Sequence, residues 1–295
     1  MESIKQARNW GIDIGGSYAK IGYLSDASFV LTNKIQTGSD SLPDLILKEI
    51  FSTILAVDKH PKSIGFGIAG MVSKSTKMVL TSANLPQWNK VNIQSISNKY
   101  LHTPIEIDND CNAFAIGSLH SGNIPPKGLW LFITLGTGIG GTIIYNGEVV
   151  YGTDFAGEFG HTTVQADGKL CKCGSYGCWE KYAGSKALTN YYSKLTGIKI
   201  TPAEIAQKAD KQDINAIHAL EEYGKWMGVG LANLANIFSP EGFFFGGGIA
   251  SAYVHFEKAA FQEYRNRCNH HWKTTVLANT YTAGAYGAAV LAMKQ

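Results

Sequence analysis

An α/β fold is what this sequence predicts, and three observations carry the prediction. Apolar runs with strand character alternate with segments of helical periodicity along the chain. One design, an apolar strand, a glycine turn bearing a hydroxyl residue and a second apolar strand, occurs at Ile12 to Leu24 and again at Leu131 to Val149, so the chain reads as faintly duplicated. Its 295 residues suffice for two domains of ordinary size or for one large one.

The first strand runs from Trp10 into Gly15-Gly16, and Lys20 to Leu24 and Phe29 to Ile35 follow with Asp26 in the turn between them, which predicts an antiparallel meander. Leu42 to Val57 carries apolar residues at helical spacing, with Ser41 or Ser39 as a cap. Ser63 to Ile68 reads as a buried strand, Thr81 to Trp88 as a loop, Val91 to Leu101 as a helix and Ile105 to Asp108 as a strand. Leu129 to Leu135 is a strand of fully buried character. Thr142 to Tyr145 and Glu148 to Tyr151 flank Asn146-Gly147, a strong hairpin turn. Thr201 to Glu204 is a capping box, Asp213 opens a helix that ends before Pro240, Gly242 to Phe245 is a strand, and Gly284 to Met293 is a helix of small residues.

Composition narrows the function. A hydrophobic share of 45% with 17% charged residues belongs to a soluble globular chain. The net charge of +3 is too small, and its Lys and Arg too scattered, for a nucleic-acid surface. No run approaches the length of a membrane span and MESIKQARNW has no apolar h-region, so the expected location is the cytoplasm.

Chemistry is densest between Gly157 and Glu180. Cys171, Cys173 and Cys178 are spaced C-x-C-x4-C, with His161 ten residues upstream. Three thiolates and an imidazole suit tetrahedral zinc with no position left for water, hence a structural metal. A redox pair or three unrelated thiols are the alternatives. Asp13 and the Gly15-Gly16-Ser17 turn can place a carboxylate, amides and a hydroxyl beside a phosphate and its magnesium, or form a plain hairpin turn. Asn84 can meet a polar ligand and Trp88 stack on one, or they are a turn asparagine and a core tryptophan. Asp110, at the end of a strand, is the candidate catalytic carboxylate, while Asp108 or Asn109 can cap the following helix.

Gly136, Gly138 and Gly141 satisfy G-x-G-x-x-G. A dinucleotide site needs a helix there, and these glycines join strand to strand, which argues against nicotinamide and flavin; no P-loop sequence occurs either. Two such hairpins across a cleft could instead grip one nucleotide's phosphates, with Ser17 and Thr137 donating. The Gly246-Gly247-Gly248 turn would let an adenosine lie close to backbone.

Taken in order, Asp13-Ile14-Gly15-Gly16-Ser17, Asn84-Leu85-Pro86, Asn109-Asp110, Leu135 to Gly141, Gly157-Glu158-Phe159-Gly160-His161, the cysteine cluster ending in Glu180, and Gly246 to Gly248 resemble the ROK family of sugar kinases and repressors. The resemblance implies the actin-like, hexokinase-like (ribonuclease H-like) ATPase fold: residues 1–106 plus 283–295 as an N-terminal α/β domain, residues 107–282 as a larger domain carrying the zinc loop, and a cleft between. It also implies a glucokinase-like activity, transfer of the ATP γ-phosphoryl group to a hexose 6-hydroxyl with magnesium. Glucose is the first choice, with N-acetylglucosamine, N-acetylmannosamine, mannose and fructose as rivals.

On this sequence the family's roles place Asp110 as the base and Asn84, Asn109, Glu158, His161 and Glu180 on the sugar. His161 would use one ring nitrogen for zinc and the other for a sugar hydroxyl, beside Cys171, Cys173 and Cys178. Asp13, Gly15, Gly16, Ser17, Thr137 and Gly138 would hold phosphates and magnesium, and Gly247 and Gly248 would flank adenosine. The family is often dimeric, so a homodimer is expected.

Three positions depart from the family's pattern: Tyr18 replaces the lysine of the first loop, with Lys20 as the residue to compensate; Ala69 replaces a proline before Gly70; Gln87 replaces a glycine after Pro86. The competing class is a sugar-responsive regulator or a non-catalytic sensor. Regulators carry a helix-turn-helix ahead of the sugar-kinase-like part, and with the first strand expected near residue 9 the expectation is an enzyme.

Overall fold

The computed structural model describes residues 7–26, 28–270, 273–276 and 281–294. In chain order the first elements are β1 (Asn9–Ile14), β2 (Tyr18–Leu24), β3 (Phe29–Gln36), α1 (Pro43–Val57), β4 (Ser63–Ile68), β5 (Met71–Ser73), β6 (Met78–Thr81), β7 (Val91–Asn92), α2 (Ile93–Ser97), β8 (Ile105–Asn109) and α3 (Asp110–His120). They continue with β9 (Leu129–Leu135), β10 (Ile139–Tyr145), β11 (Glu148–Val149), α4 (Glu180–Ala183), α5 (Ser185–Thr196), α6 (Pro202–Asp210), α7 (Ile214–Phe238), β12 (Gly242–Gly246), α8 (Tyr253–Arg265), β13 (Thr274–Val276) and α9 (Ala283–Met293). No described helix is long and apolar enough to cross a membrane.

The chain divides into two compact units. One holds the described residues of Met1–Pro125, Tyr151–Phe155 and Asn279–Gln295, the other those of Pro126–Val150 and Ala156–Ala278. The duplication read from the sequence is present in the topology: the sheets are ordered β3-β2-β1-β4-β8 and β11-β10-β9-β12-β13. In each, a three-strand antiparallel meander continues into two parallel strands. Where the sequence placed a boundary after residue 106, the first unit runs on to Pro125. Helix α3 packs there on α9 through glycine, since a Cβ at Gly117 would meet Ala283 O and one at Gly287 would meet Ala113 O.

Helix α9 also lies against the sheet at Gly11 and Gly65, which are partners in the β1–β4 register. A side chain at Gly65 would run into the Ala288 carbonyl, and one at Gly11 into Ala285 O. The small residues of α9 are thus the counterpart of two missing side chains on the sheet. Gly65→Ala is expected to cost about 1–3 kcal/mol of stability through overpacking against backbone. Urea denaturation measures this, and a change below about 0.5 kcal/mol, the range of neutral surface substitutions, would contradict it.

Several elements differ from the sequence expectation. Helix α1 starts at Pro43 with Leu42 as a cap that makes no side-chain bond, and Ser41 instead offers its carbonyl to Trp88 Nε1 at 3.0 Å. The expected helix over Val91 to Leu101 is the two-residue β7 followed by a short α2, because Asn92 caps at once by accepting from Ser95 N. The return strand expected to reach Tyr151 stops at Val149, and Tyr151 leaves to pack in the first unit. The β5–β6 hairpin was not anticipated. The capping box of α6, the Asp213 cap and full span of α7, and the left-handed Asn146-Gly147 turn stand where the sequence puts them.

Candidate functional site

In the first unit, strand β1 delivers Asp13 and the Gly15–Ser17 turn. Gly15 N donates to Tyr18 O at 3.0 Å and so closes the hairpin, while Thr37 clamps the turn from β3's end, through Oγ1 to Gly15 O (2.7 Å) and N to Ser17 O (2.9 Å). Gly16 and the exposed Ser17 form the tip. Asp13 faces its cross-strand partner Lys20, whose ammonium lies 3.2 Å from Oδ2. Burial pushes the Asp13 carboxyl above the usual carboxylate range and Lys20 pulls it back. Gly284, in the first turn of α9, lies against this carboxylate; a Cβ there would stand 2.8 Å from it. The Asp13 side chain is therefore packed against the first turn of α9. Tyr18 points outward, 45% exposed, with Lys34 Nζ 3.5 Å from its ring centroid. Lys20, and not residue 18, brings positive charge to the loop. A carboxylate oxygen is the kind of donor that magnesium commonly uses in proteins, and Asp13 supplies one.

Asn84 is exposed in the bend after β6 and lies against Gly16, where a Cβ would be 2.9 Å from Asn84 Cβ. The bend is tied by Ser82, whose Oγ donates to Ala69 O at 2.6 Å and accepts from Leu85 N at 3.1 Å. Trp88 is fully buried, so of its two readings the core one holds.

At the β8–α3 corner Asn109 is the cap, its Oδ1 accepting from Cys111 N at 2.7 Å, and its Nδ2 donates to Gly70 O at 2.7 Å. One N–H and one lone pair of the amide remain for a ligand. Asp110 takes the first helical position, half-buried, its Oδ1 accepting from Cys111 N at 3.0 Å. Asp108, read in sequence only as a possible cap, is instead a buried acceptor for Lys74, Tyr151, Asn112 and the Asn109 amide. Lys74 and Tyr151 carried no sequence signal, since both come from distant loops.

In the second unit the Gly136–Gly138 turn between β9 and β10 is closed by Gly136 N to Gly138 O at 3.1 Å and held by Ser185 N, which donates to Gly136 O at 2.9 Å. Thr137 is exposed at its tip. A side chain on Gly138 would collide with Glu180 Oε2, so the turn and the Glu180 carboxylate are in direct contact. The third glycine turn is its neighbour: Ile249 N donates to Leu135 O at 3.0 Å, and Gly247, at φ +89°, passes so near that carbonyl that a Cβ would stand 2.6 Å from it. Gly247 and Gly248 are exposed.

The cysteine loop folds on two isolated β-bridges, Thr163 with Cys178 and Leu170 with Tyr176, and Gly174 and Gly177 take left-handed conformations that other residues avoid. It is anchored by Trp179, fully buried, whose Nε1 donates to Trp226 O at 2.8 Å and whose ring occupies the space left by Gly230. One ligand atom from each of His161, Cys171, Cys173 and Cys178 lies within 4.8 Å of all the others. Cys173 and Cys178 Sγ are 3.6 Å apart, and Cys171 Sγ is 3.8 Å from His161 Nδ1. A zinc tetrahedron with bonds of about 2.3 Å has edges of about 3.8 Å, so the set fits the ion. Burial pushes the Cys171 thiol up to about 12, and the Glu180 carboxylate adds to the effect.

His161 Nε2 lies 3.9 Å from Glu158 Oε2, beyond hydrogen-bond reach, so the nitrogen opposite the cysteines keeps its capacity for another partner. Burial raises the Glu158 carboxyl above its ordinary value, with His161 opposing and Glu180 adding. Glu180 opens α4 and accepts from Cys171 Sγ at 3.2 Å. The expected set thus falls into two groups: Asp13, Gly15, Gly16, Ser17, Asn84, Asn109 and Asp110 in the first unit, and Thr137, Gly138, Glu158, His161, Glu180, Gly247 and Gly248 in the second.

Known proteins resemble this chain in sequence and fold. The glucokinase of Streptomyces coelicolor is 31% identical over 261 residues, 81% of this chain and 81% of its own. The xylose repressor of Caldicellulosiruptor bescii is 32% identical over 255 residues, 78% of this chain, which spans 63% of that protein's length. The crystal structure of a ROK family glucokinase from Streptomyces griseus, in complex with glucose and AMPPNP, superposes with a TM-score of 0.83 at 29% identity, over 98% of this chain and 100% of that one. Its fold, two α/β domains of the actin-like ATPase kind, is the fold of this chain. With the ROK family model matching residues 9–295, the chain belongs to the ROK family.

Proposed function

We propose that the chain is an ATP-dependent hexose kinase that transfers the γ-phosphoryl group to the 6-hydroxyl of glucose or a closely related sugar. The observation that carries this reading is the likeness, over nearly the full chain, to a glucokinase holding glucose and an ATP analogue. Phosphoryl transfer needs positioning and charge neutralisation more than covalent help. Asp110, fixed on the first turn of α3, accepts the proton of the attacking sugar hydroxyl. Asn84, Asn109 through its spare N–H and lone pair, Glu158, His161 Nε2 and Glu180 bind the other hydroxyls. The tips Gly15–Ser17 and Thr137–Gly138 hold phosphates, and Gly247 and Gly248 flank the adenosine. Magnesium, held at Asp13, would supply neutralising charge to the phosphates. Zinc, held by His161, Cys171, Cys173 and Cys178, would do no chemistry and would fix His161 and Glu180.

A sugar-responsive regulator without catalysis is the second reading, favoured by the 32% identity to a xylose repressor. A coupled ADP-release assay separates them, run with magnesium and ATP on glucose, mannose, fructose, N-acetylglucosamine, N-acetylmannosamine and xylose. Turnover of one hexose well above the others is the expected result. Sugars that raise the melting temperature without any ADP release would sink the kinase reading and establish a sensor.

A further inference from the structure

We propose that Tyr151 is a positioning residue for the Asn109–Asp110 corner and acts on it through the buried carboxylate of Asp108; this rests on the kinase reading above. Asp108, the last residue but one of β8, is 2% exposed. Its Oδ1 accepts from the Asn109 amide at 2.8 Å and from Asn112 Nδ2 at 2.9 Å, both inside the strand–helix corner. Its Oδ2 accepts from Lys74 Nζ at 3.1 Å and from the Tyr151 hydroxyl at 2.8 Å, both reaching in from elsewhere.

Lys74 follows β5. Tyr151 belongs to a strap, Tyr151–Phe155, that packs in the first unit although the residues on both sides of it belong to the second. Lys74 Nζ also stands 3.8 Å from the Tyr151 ring centroid, so one cation holds both the carboxylate and the ring. Burial and the Asp108 charge push the Tyr151 phenol well above its ordinary value, which keeps it a donor. A buried carboxylate with four donors has one satisfied orientation. The amide it grips is that of Asn109, the residue that caps α3 and precedes Asp110, so the direction of both side chains follows from it. Ion pairing alone explains the arrangement poorly, because a buried pair is weak evidence for stability.

Tyr151→Phe tests the role, since it keeps the ring beneath Lys74 and deletes one donor. We expect kcat to fall roughly 10- to 100-fold, the cost of a small misplacement of reacting groups, with the KM for ATP unchanged. The melting temperature should fall by only about 2–4 °C. Ser73→Ala, which removes the strap's hydrogen bond to Asp154, should keep the parental kcat. In an Asp110→Ala background, Tyr151→Phe should cause no further loss. Parental kcat in Tyr151→Phe overturns the proposal, as does an equal loss in Ser73→Ala or an additive loss without Asp110. A parent enzyme that turns over no sugar overturns the kinase reading and this one with it, whereas an active parent with an unaffected variant overturns the positioning role alone.

Discussion

Changing Cys178 to serine is expected to empty the proposed zinc site and to lower the melting temperature by on the order of 10 °C or more. Structural zinc contributes roughly 10–16 kcal/mol of apparent binding free energy in small domains, and that energy is folding energy where the site forms only in the folded state. Here the stretch from His161 to Cys178 has two isolated bridges and left-handed glycines in place of a sheet or helix. Leu170 and Tyr176, the apolar pair of one bridge, are 58% and 56% exposed, so the loop has little burial of its own to hold it. Cys178 is fully buried beside Trp179, two residues before Glu180, so a change there is felt at the start of α4. Metal content by elemental mass spectrometry and melting by calorimetry are the readouts. A serine variant that keeps stoichiometric metal, or melts with the parent, would show that the four residues are not a metal site. A strong chelator should act in the same direction on the unaltered protein.

Asp110→Ala is expected to lower kcat by roughly 10^2 to 10^4, the usual contribution of a positioned acid-base group. Its effect on folding should be small, because a carboxylate in the first turn of a helix contributes only about 0.3–1 kcal/mol through the dipole. Binding of the sugar should persist, since the other proposed contacts, Asn84, Asn109, Glu158, His161 and Glu180, remain. Steady-state kinetics with titration calorimetry of the preferred sugar checks both halves. A variant retaining more than about a tenth of the parental rate would remove Asp110 from the role of base, since that loss is below the range for such a group.

The two effects separate cleanly: one falls on folding with the metal, the other on rate without it. The β1–β2 register brings Lys20 to Asp13, 3.2 Å from its carboxylate.

Features governed by near neighbours were legible in the sequence. The Thr201–Glu204 box, the Asp213 cap, the Asn146-Gly147 turn and the spacing of the three cysteines all depend on residues a few positions apart, and they lie in the structure where the sequence put them. Even the duplicated topology was visible, because each half repeats the same strand–turn–strand pattern. Distant partners decided the rest. Trp88 went to the core because Ser41 O accepts its Nε1, and the expected helix after Val91 shrank because Asn92 capped it early. The glycine turns at 136–138 and 246–248 became neighbours only through Leu135 O, and Asp108 changed from a candidate cap into a four-donor acceptor only when Lys74 and Tyr151 arrived from 34 and 43 residues away. Sequence by itself thus determined the family of local shapes and the chemical inventory. Which carboxylate is buried, which is half-buried and which nitrogen of His161 faces the cysteines were decided by tertiary packing, since desolvation and hydrogen-bond partners come from segments that the chain order does not place side by side.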